Sequence, residues 1–385
     1  MTRRAWPAAA RVAAFAAAFA FVVIVFGAFV RLSNAGLSCP DWPTCYGKAT
    51  WPGHEHEIAN ANAAFPERPF EDHKAWREQV HRMIAGTLGL LVFGLAIGVV
   101  RRQRRLLLML LAAAASAVVG IGLYMRGMHA ASAILSGVAI ALPCAAALLL
   151  RRALPWRIAV VAFAVIIFQA MLGMWTVTWL LKPVVVMAHL LGGLSTFALL
   201  GYVAFALRGD APPDAVQQRL RPWVVTALVL LVAQIALGGW TSANYAALAC
   251  GTDFPKCAGT WWPATDFREG FVLWRGIGVN YEGGILDGAA RAAIQIAHRI
   301  GALVVFVALS GLALAAWRRG LRIAGGVLLA LLVLQVGLGI ANVRLMLPLL
   351  VATAHNGVAA LLLITLVGLL VRVGRRPAAG SDHAG

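Results

Sequence analysis

The chain has 385 residues, of which 61% are hydrophobic, and a mean hydropathy of +0.81, which excludes an ordinary soluble domain. Its formal net charge of +18 does not indicate a nucleic-acid partner, because the basic residues lie in short segments between apolar stretches. The composition predicts a polytopic membrane protein that contacts the lipid bilayer and binds no nucleic acid.

Ten stretches are long and apolar enough to cross a bilayer core of roughly 30 Å as helices. Alanine, leucine and valine dominate them. The first is too long for a cleaved signal peptide, and no small-residue cleavage site follows it. The predicted spans are 9–30, 83–100, 106–124, 131–150, 158–177, 184–206, 223–240, 297–316, 323–341 and 350–371.

The charged residues predict the orientation of these spans. With the amino terminus inside, the inner segments hold most of the Lys and Arg but only three of the 15 acidic residues, Asp210, Asp214 and Asp382. This positive-inside pattern places both termini in the cytoplasm. An Ala- and Arg-rich bias without a Ser-rich transit peptide favours a bacterial inner membrane.

Several motifs recur in the two halves of the chain in the same order. "GAFVRLSNAGLSC" at 27–39 aligns without a gap with "GGWTSANYAALAC" at 238–250, and each leads through Asp-aromatic-Pro to a second cysteine. In each half a glutamine, Gln169 or Gln335, precedes a histidine by 20 residues. This order predicts a duplicated four-helix unit whose copies run in the same direction through the membrane.

The predicted fold is therefore an all-α polytopic membrane protein with two pseudo-symmetric four-helix transmembrane bundles, the first with an inserted helical hairpin. The predicted parts are an N-terminal bundle at 1–207 with the hairpin at about 105–151, a cytoplasmic linker at 208–222, a C-terminal bundle at 223–372 and a cytoplasmic tail at 373–385.

Four of the five cysteines lie in predicted outer loops. Cys39 and Cys45 fall in one loop, and Cys250 and Cys257 in another. Such pairs fit a disulfide in each loop in an oxidising compartment, and a zinc site built from all four is the alternative. Cys144 lies within a span, where we expect an inert core residue.

Four histidines occupy equivalent positions near the outer ends of the spans in the two halves: His81, His189, His298 and His355. Two imidazoles on facing helices can ligate a haem iron, so each bundle is predicted to hold one haem. Hydrogen-bonded bridges between helices are the alternative. Nearby glycines that would leave room for the macrocycle are Gly86, Gly192, Gly193, Gly301 and Gly357.

An acid distinguishes the first histidine pair from the second. Glu78 lies three residues before His81, whereas Gln295 lies three residues before His298. A carboxylate beside a porphyrin can accept protons, which indicates that the first bundle is the reactive one. A surface acid that caps the helix is the alternative for Glu78. The arginines that follow the histidines, Arg82 and Arg299, either contact haem propionates or anchor the helix ends.

These motifs resemble one family over nearly the whole chain outside the inserted hairpin. They are similar to the haem A synthase family, and "RLSNAGLSCPDWP" at 31–43 is the most specific of them. Eight spans are usual in that family, so the ten predicted here are a departure. The matching motifs are "GAFVRLSNAGLSCPDWPTC", "EQVHRMIAG", "FQAMLGMWTVT", "MAHLLGG", "IAHRIGAL" and "TAHNGVAALLL".

The resemblance implies an oxidoreductase that converts the C8 methyl group of haem O to a formyl group in two successive hydroxylations, giving haem A. It implies that His81 and His189 bind haem O as the substrate, with Glu78 as the catalytic residue. It further implies that His298 and His355 ligate haem b as the cofactor. Haem O synthase, terminal-oxidase assembly proteins and a second copy of the chain are the candidate partners.

The family's outer-loop cysteines match Cys39 and Cys45, which the resemblance pairs in a disulfide that takes part in electron relay. Water is the expected oxygen source because two axial histidines leave no open position on the iron. Loss of one histidine followed by binding of dioxygen is the alternative. Two other functions compete with the synthase: a non-catalytic di-haem cytochrome b, and a secondary transporter, which the absence of a mid-span acid disfavours.

Overall fold

The computed structural model describes residues 7–208 and 215–374, so that parts of the predicted linker and tail lie outside the described residues. Within those ranges the regular structure is helical, with only two isolated β-bridges. The helices are α1 (Ala8–Leu32), α2 (Glu55–Ala64), α3 (Asp72–Val100), α4 (Arg104–Met125), α5 (His129–Leu149), α6 (Leu154–Thr178), α7 (Pro183–Arg208), α8 (Ala215–Gln218), α9 (Arg221–Ala243), α10 (Phe267–Gly270), α11 (Gly288–Arg318), α12 (Arg322–Arg344) and α13 (Leu349–Gly374).

Ten helices in the described part of the chain are long and apolar enough to span a membrane, which confirms the all-α multi-pass fold. Two of them begin well before their predicted spans: α3 at Asp72 and α11 at Gly288. An apolar window finds only the stretch that crosses the bilayer, whereas these helices continue outward through charged turns. Glu78 therefore lies inside α3 and is buried, so the alternative of a surface acid that caps the helix is wrong.

The chain divides into two compact units. The first contains Arg11–Val203 together with a short segment, Leu273–Ile285, that the sequence placed with the second bundle. In this unit α1 packs on α3 through Phe26 and His81, and on α7 through Phe21 and Phe197. Contacts of α6 with α3 and of α7 with α6 close the four-helix ring.

The predicted hairpin insertion forms α4 and α5, which pack against each other and against α3 and α6. Its tip reaches the first cysteine loop, since the ring of Tyr124 lies 6.0 Å from that of Trp42. Cys144 of α5 is exposed, so the expectation of a core residue is wrong. Many apolar residues of the hairpin are exposed, among them Val118, Ile134 and Leu148, as expected for an element that faces lipid.

The second unit contains the described residues of Ala204–Val272, those from Leu286 onward and those before Arg11. Here α9 packs on α11, α11 on α12, α12 on α13, and α13 on α9, which makes a closed four-helix ring. The helix order matches that of α1, α3, α6 and α7 in the first unit.

The first and third helices of each ring end in the same way. Each has an N–H bonded to the carbonyl five residues earlier, which is the pattern of a Schellman cap. The residue before that N–H has a positive φ although it is not glycine, at Asn34, Leu180, Tyr245 and Met346. A left-handed non-glycine residue costs about 1–2 kcal/mol. Its recurrence at four equivalent places shows that the repeat is a helical hairpin that occurs four times.

Candidate haem sites

The structure brings the four predicted histidines together as two pairs, one in each unit. His81 of α3 lies near His189 of α7, and His298 of α11 lies near His355 of α13. All four are half-buried although their helices are packed in the rings. Part of the surface of each histidine therefore remains accessible to a ligand.

The four hairpins are α1 with α3, α6 with α7, α9 with α11, and α12 with α13. In each of them a glycine on the first helix faces the histidine on the second. We call these four residues the seat glycines: Gly27, Gly173, Gly238 and Gly339. A Cβ at Gly27 would lie 2.7 Å from His81 Cε1, and at the other three positions it would lie 3.1–3.2 Å from the same ring atom of the facing histidine. At Gly27 an added Cβ would force the imidazole to move, and at the other three positions the ring would have to give way by a few tenths of an ångström.

A glutamine four residues before the seat glycine contacts the histidine in three of the hairpins. Gln169 Nε2 lies 3.0 Å from His189 Nδ1 and donates to the His189 carbonyl at 2.7 Å. Gln234 Nε2 makes the same two contacts with His298, at 3.0 and 2.9 Å. Gln335 Nε2 lies 3.2 Å from His355 Nε2.

Two of the glycines predicted to leave room for a macrocycle accommodate these glutamines instead. A Cβ at Gly192 would lie 2.1 Å from Gln169 Oε1, and one at Gly301 would lie 2.2 Å from Gln234 Oε1. Both glycines stand three residues after the histidine of their helix. A Cβ at Gly86 would meet nothing within 4 Å, so that this glycine is not needed for close packing.

Glu78 is buried, with 4% of its surface exposed, and both of its carboxylate oxygens have partners. Oε1 accepts from Arg82 Nη2 at 2.6 Å. Oε2 accepts from the Cys39 amide at 2.9 Å and lies 3.0 Å from Ser38 Oγ. The carboxylate thus joins the helix of His81 to the first cysteine loop.

Arg82 holds the first cysteine loop in place. Its Nη1 donates to the carbonyls of Asp41 and Thr44 at 2.8 and 2.6 Å. Arg299 holds the second loop in the same way, through the carbonyls of Asp253 and Lys256 at 3.0 and 2.9 Å. These bonds give both arginines an anchoring role, and their contact with propionates stays a prediction.

Each cysteine loop is closed by a disulfide, Cys39–Cys45 in one and Cys250–Cys257 in the other, which confirms the predicted pairing. No thiolate remains there to bind zinc, so that alternative is wrong. Tyr46 packs against the first disulfide, donates from its hydroxyl to the Arg68 carbonyl at 3.0 Å, and has its pKa raised to about 12 by burial.

The second unit lacks the acid of the first. Gln295, the counterpart of Glu78, is also buried, and its Oε1 has no hydrogen-bond partner among the described residues. Ala249 stands where Ser38 stands in the first unit and offers no hydroxyl. The two units therefore share the histidine pair, the arginine and the disulfide but differ in the acid and the hydroxyl beside them.

The segment 273–285, which we call the strap, lies over residues near the start of α7 in the first unit. Tyr281 is 1% exposed, packs with Leu37 and Leu181, and donates from its amide to the Leu180 carbonyl at 3.0 Å. Lys182 is also 1% exposed, and its Nζ lies 3.3 Å from the centroid of the Trp274 ring. Neither Lys182 nor the strap was predicted from the sequence.

The chemistry of the donor set fits a haem. In the described part of the chain no group of three or more His, Cys, Asp or Glu side chains could hold a bare metal ion. Two imidazoles alone are a poor metal site, but they suit an iron that brings four in-plane nitrogens with it. The seat glycines hold the imidazoles closely, and part of each imidazole stays accessible. Both features are consistent with one haem in each unit.

The cytochrome oxidase assembly protein family COX15-CtaA matches residues 10–129 and 123–367 of this sequence. The chain belongs to this family. A heme A synthase of Shewanella oneidensis is 40% identical over 355 residues, which cover 91% of this chain and 92% of that protein. Heme A synthases of Rhizorhabdus wittichii and Caulobacter sp. are each 27% identical, over 91% and 94% of this chain.

Proposed function

We propose that this protein makes haem A by oxidising the C8 methyl group of haem O to a formyl group in its first unit. The observation that carries the proposal is the difference between two otherwise equivalent sites. Glu78, three residues before His81 in α3, is a buried carboxylate that contacts the hydroxyl of Ser38, whereas an amide and a methyl group stand at the equivalent positions of the second unit. The relatives, named heme A synthases, support the same reaction.

In this proposal His81 and His189 hold the iron of the substrate haem O, and His298 and His355 hold a haem b that supplies redox chemistry in the second unit. The rings are presented for this role by the seat glycines. Arg82 and Arg299 keep the cysteine loops against the helices that carry His81 and His298.

The reaction replaces two hydrogens of the methyl group by hydroxyl groups in turn, and the geminal diol then loses water to become the aldehyde. With water as the oxygen source, one methyl group and one water give one formyl group, four protons and four electrons, and the electrons pass to an external one-electron acceptor. Glu78 is the proposed acceptor for protons leaving the methyl carbon and the attacking water.

The hydroxyl of Ser38 can assist Glu78 in accepting and releasing protons. Its single hydroxyl hydrogen faces two acceptors, the Ala35 carbonyl at 2.7 Å and Glu78 Oε2 at 3.0 Å. The hydroxyl can donate to an ionised Glu78, and it can accept from a protonated Glu78 while it donates to Ala35. Both protonation states of the acid therefore find a partner.

We further propose a bacterial inner membrane as the location, with both termini in the cytoplasm and the two disulfides on the opposite side. The excess of Lys and Arg between the spans on the side of the termini supports this orientation. Disulfides fit an oxidising compartment, and therefore fit the periplasmic side.

The test is to extract the pigments of the purified protein from cells that supply haem O and to separate them by chromatography. We expect haem b together with haem O or haem A in the native protein, and haem O without haem A in Glu78→Gln. The matched control, Gln295→Glu, should still yield haem A. Continued synthesis of haem A by Glu78→Gln would remove the acid from the mechanism.

A non-catalytic di-haem cytochrome b is the second candidate, because the two histidine pairs alone would serve it. That function predicts two b-type haems per chain and no haem O or haem A in the extract. The oxygen source is settled separately by synthesis in water labelled with heavy oxygen. Label in the formyl group supports water, whereas label that enters only from dioxygen gas supports the alternative in which one histidine leaves the iron.

A further inference from the structure

The four histidines differ in what holds them in place. His189 and His298 each have a glutamine that contacts both a ring nitrogen and the backbone carbonyl of the same residue. In this orientation the amide nitrogen, with its two hydrogens, donates to the ring nitrogen and to the carbonyl together; with its oxygen turned to the ring, the amide would accept from an Nδ1–H and give up the bond to the carbonyl. Between this amide and the seat glycine the imidazole has little freedom to rotate. We call the glutamine and the seat glycine together a clamp.

The clamp needs space on the helix that carries the histidine. Gly192 and Gly301 supply it, since a Cβ at either position would overlap the glutamine oxygen at 2.1–2.2 Å. In α13 the corresponding residue is Val358, which is buried. There Gln335 reaches only a ring nitrogen, at 3.2 Å, so that His355 has a partial clamp.

His81 has the seat glycine but no glutamine. Four residues before Gly27, where the other three hairpins have glutamine, α1 has Val23, which is buried. His81 Nδ1 is buried and has no hydrogen-bond partner among the described residues; His355 Nδ1 is also without one, but the ring of His355 contacts Gln335 through Nε2. The ring of Phe26, whose centroid lies 6.4 Å from that of His81, offers no hydrogen-bonding oxygen or nitrogen. Its polar neighbours in α3, Glu78 and Arg82, are bonded to each other and to the cysteine loop.

We propose that Gln169, Gln234 and Gln335 are positioning residues for three axial ligands, and that His81 is the exchangeable ligand through which the substrate haem is bound and released. This inference rests on the proposed function. Hydrogen-bonded partners of a metal-bound histidine orient it and typically change metal affinity by about 10- to 100-fold. A ligand without such a partner binds the iron more weakly.

The distribution of the clamps matches what the two sites must do. A substrate haem has to leave once it has become the product, whereas a resident haem has to stay. The first unit combines one clamped and one unclamped histidine, and both histidines of the second unit contact a glutamine. One weak ligand on one face of the iron is enough to let the haem go, while the clamped partner keeps its position for the next substrate.

The experiment measures transfer of each haem from the purified, pigment-loaded protein to an excess of apomyoglobin, with the haems identified by chromatography. We expect haem O and haem A to leave at least about tenfold faster than haem b. Gln234→Leu should accelerate the loss of haem b about tenfold without affecting the other haem, and Gln169→Leu should accelerate only the loss of the substrate haem.

A gain of function tests the unclamped histidine itself. Val23→Gln with Ile84→Gly supplies the glutamine and the space that His81 lacks, and Ile84→Gly alone is the control for the added helix glycine. We expect the double variant to release haem O about tenfold more slowly than the control, and to show less binding of added cyanide to that haem. Equal release by the double variant and the control, or equal release of haem O and haem b by the native protein, would overturn the proposal.

The result for Gln234→Leu is read on the haem of the second unit alone, so that it does not depend on haem A synthesis. A protein that makes no haem A but still loses its second haem faster in this variant would contradict the proposed function and leave the positioning role intact. Unchanged release of that haem in Gln234→Leu, with Gln234→Glu also unchanged, would refute the positioning role itself.

Discussion

Ser38 Oγ lies 3.0 Å from Glu78 Oε2, and in the second repeat the equivalent residues are Ala249 and Gln295. The acid and the hydroxyl are thus present together in one unit and replaced together in the other. The rest of this environment, from the arginine to the disulfide, is common to both units. The pair therefore marks the chemical difference between the two sites.

Ser38→Ala tests the hydroxyl of this pair. It removes one hydrogen bond to the acid, which is worth about 1 kcal/mol, and it leaves the bonds from Arg82 and Cys39 in place. We expect haem A formation to slow by about five- to tenfold with unchanged haem content, as measured by product formation per bound haem. Ala249→Ser in the second unit should leave the rate unchanged. Native rates in Ser38→Ala would show that the hydroxyl does not assist the acid.

Gly27→Ala tests the seat of His81. The added Cβ would lie 2.7 Å from the imidazole, too close for the ring to stay where it is. We expect loss of most of the haem O and haem A from the purified protein, with haem b retained. Alanine is the better helix former by about 1 kcal/mol, so that a general folding defect is not expected.

The matched controls lie in the same structure. Gly86→Ala, also in the first unit, adds a Cβ with nothing within 4 Å and should leave both pigments in place. Gly238→Ala should reverse the pattern, with loss of haem b and retention of the substrate haem. Equal loss of both haems in Gly27→Ala would show that the seat glycines support the fold and not the individual sites.

The spans and the paired histidines were predictable because apolar windows and ordered motifs are local signals. Gln169 and Gln335 stand 20 residues before their histidines, and this spacing made them visible. Gln234 was missed because the outer loop separates it from His298 by 64 residues. Its signal was the glycine four residues later, which aligns with Gly173 and Gly339.

The strap was not predictable for a different reason. Residues 273–285 form no regular element and have no apolar period, and Leu180 and Leu37, which Tyr281 contacts in the first unit, lie 101 and 244 residues away in sequence. The starts of α3 and α11 were missed because charged residues there fall outside any apolar window. Such long-range packing of polar or irregular segments follows from the folded structure alone.

Arg82→Met tests how the first cysteine loop is held. The change removes the guanidinium from three loop carbonyls and leaves Glu78 buried without its cation, which typically costs about 3–5 kcal/mol. We expect much faster hydrogen exchange in residues 39–47, measured by mass spectrometry. Arg299→Met should loosen the second loop by a smaller amount, because Arg299 has loop carbonyls and no buried carboxylate among its bonds in the described chain.

A double variant separates the two effects at Arg82. Glu78→Gln combined with Arg82→Met removes the orphaned charge, so that the loop should recover part of the protection lost in Arg82→Met. The effects of the two single variants on hydrogen exchange in the loop can be added and compared with the effect of the double variant. If the two agree, the ion pair contributes nothing, and only the bonds from Arg82 to the carbonyls hold the loop.

Lys182→Met tests the contact between the strap and the first unit. Burial lowers the pKa of Lys182 from its usual 10.5, and the Nζ has no hydrogen-bond partner among the described residues. A lysine with a lowered pKa holds its proton less tightly when the strap is docked than when the chain is unfolded, so that its contribution to stability rises with pH. The free-energy cost of burying the charged lysine is fully present below the pKa of Lys182 in the folded protein. It disappears as the pH rises to 10.5, the pKa of the lysine in the unfolded chain.

The replacement by methionine removes the buried ammonium and keeps the apolar stem against the Trp274 ring. We therefore expect Lys182→Met to have a higher Tm than the native protein at pH 7, and the difference to shrink as the pH approaches 10.5, followed by thermal unfolding in detergent. Lys256→Met is the matched control, because Lys256 is exposed beside the Trp261 ring and should not change Tm. A lower Tm for Lys182→Met at pH 7 would show instead that the ammonium attracts the rings by more than its burial costs.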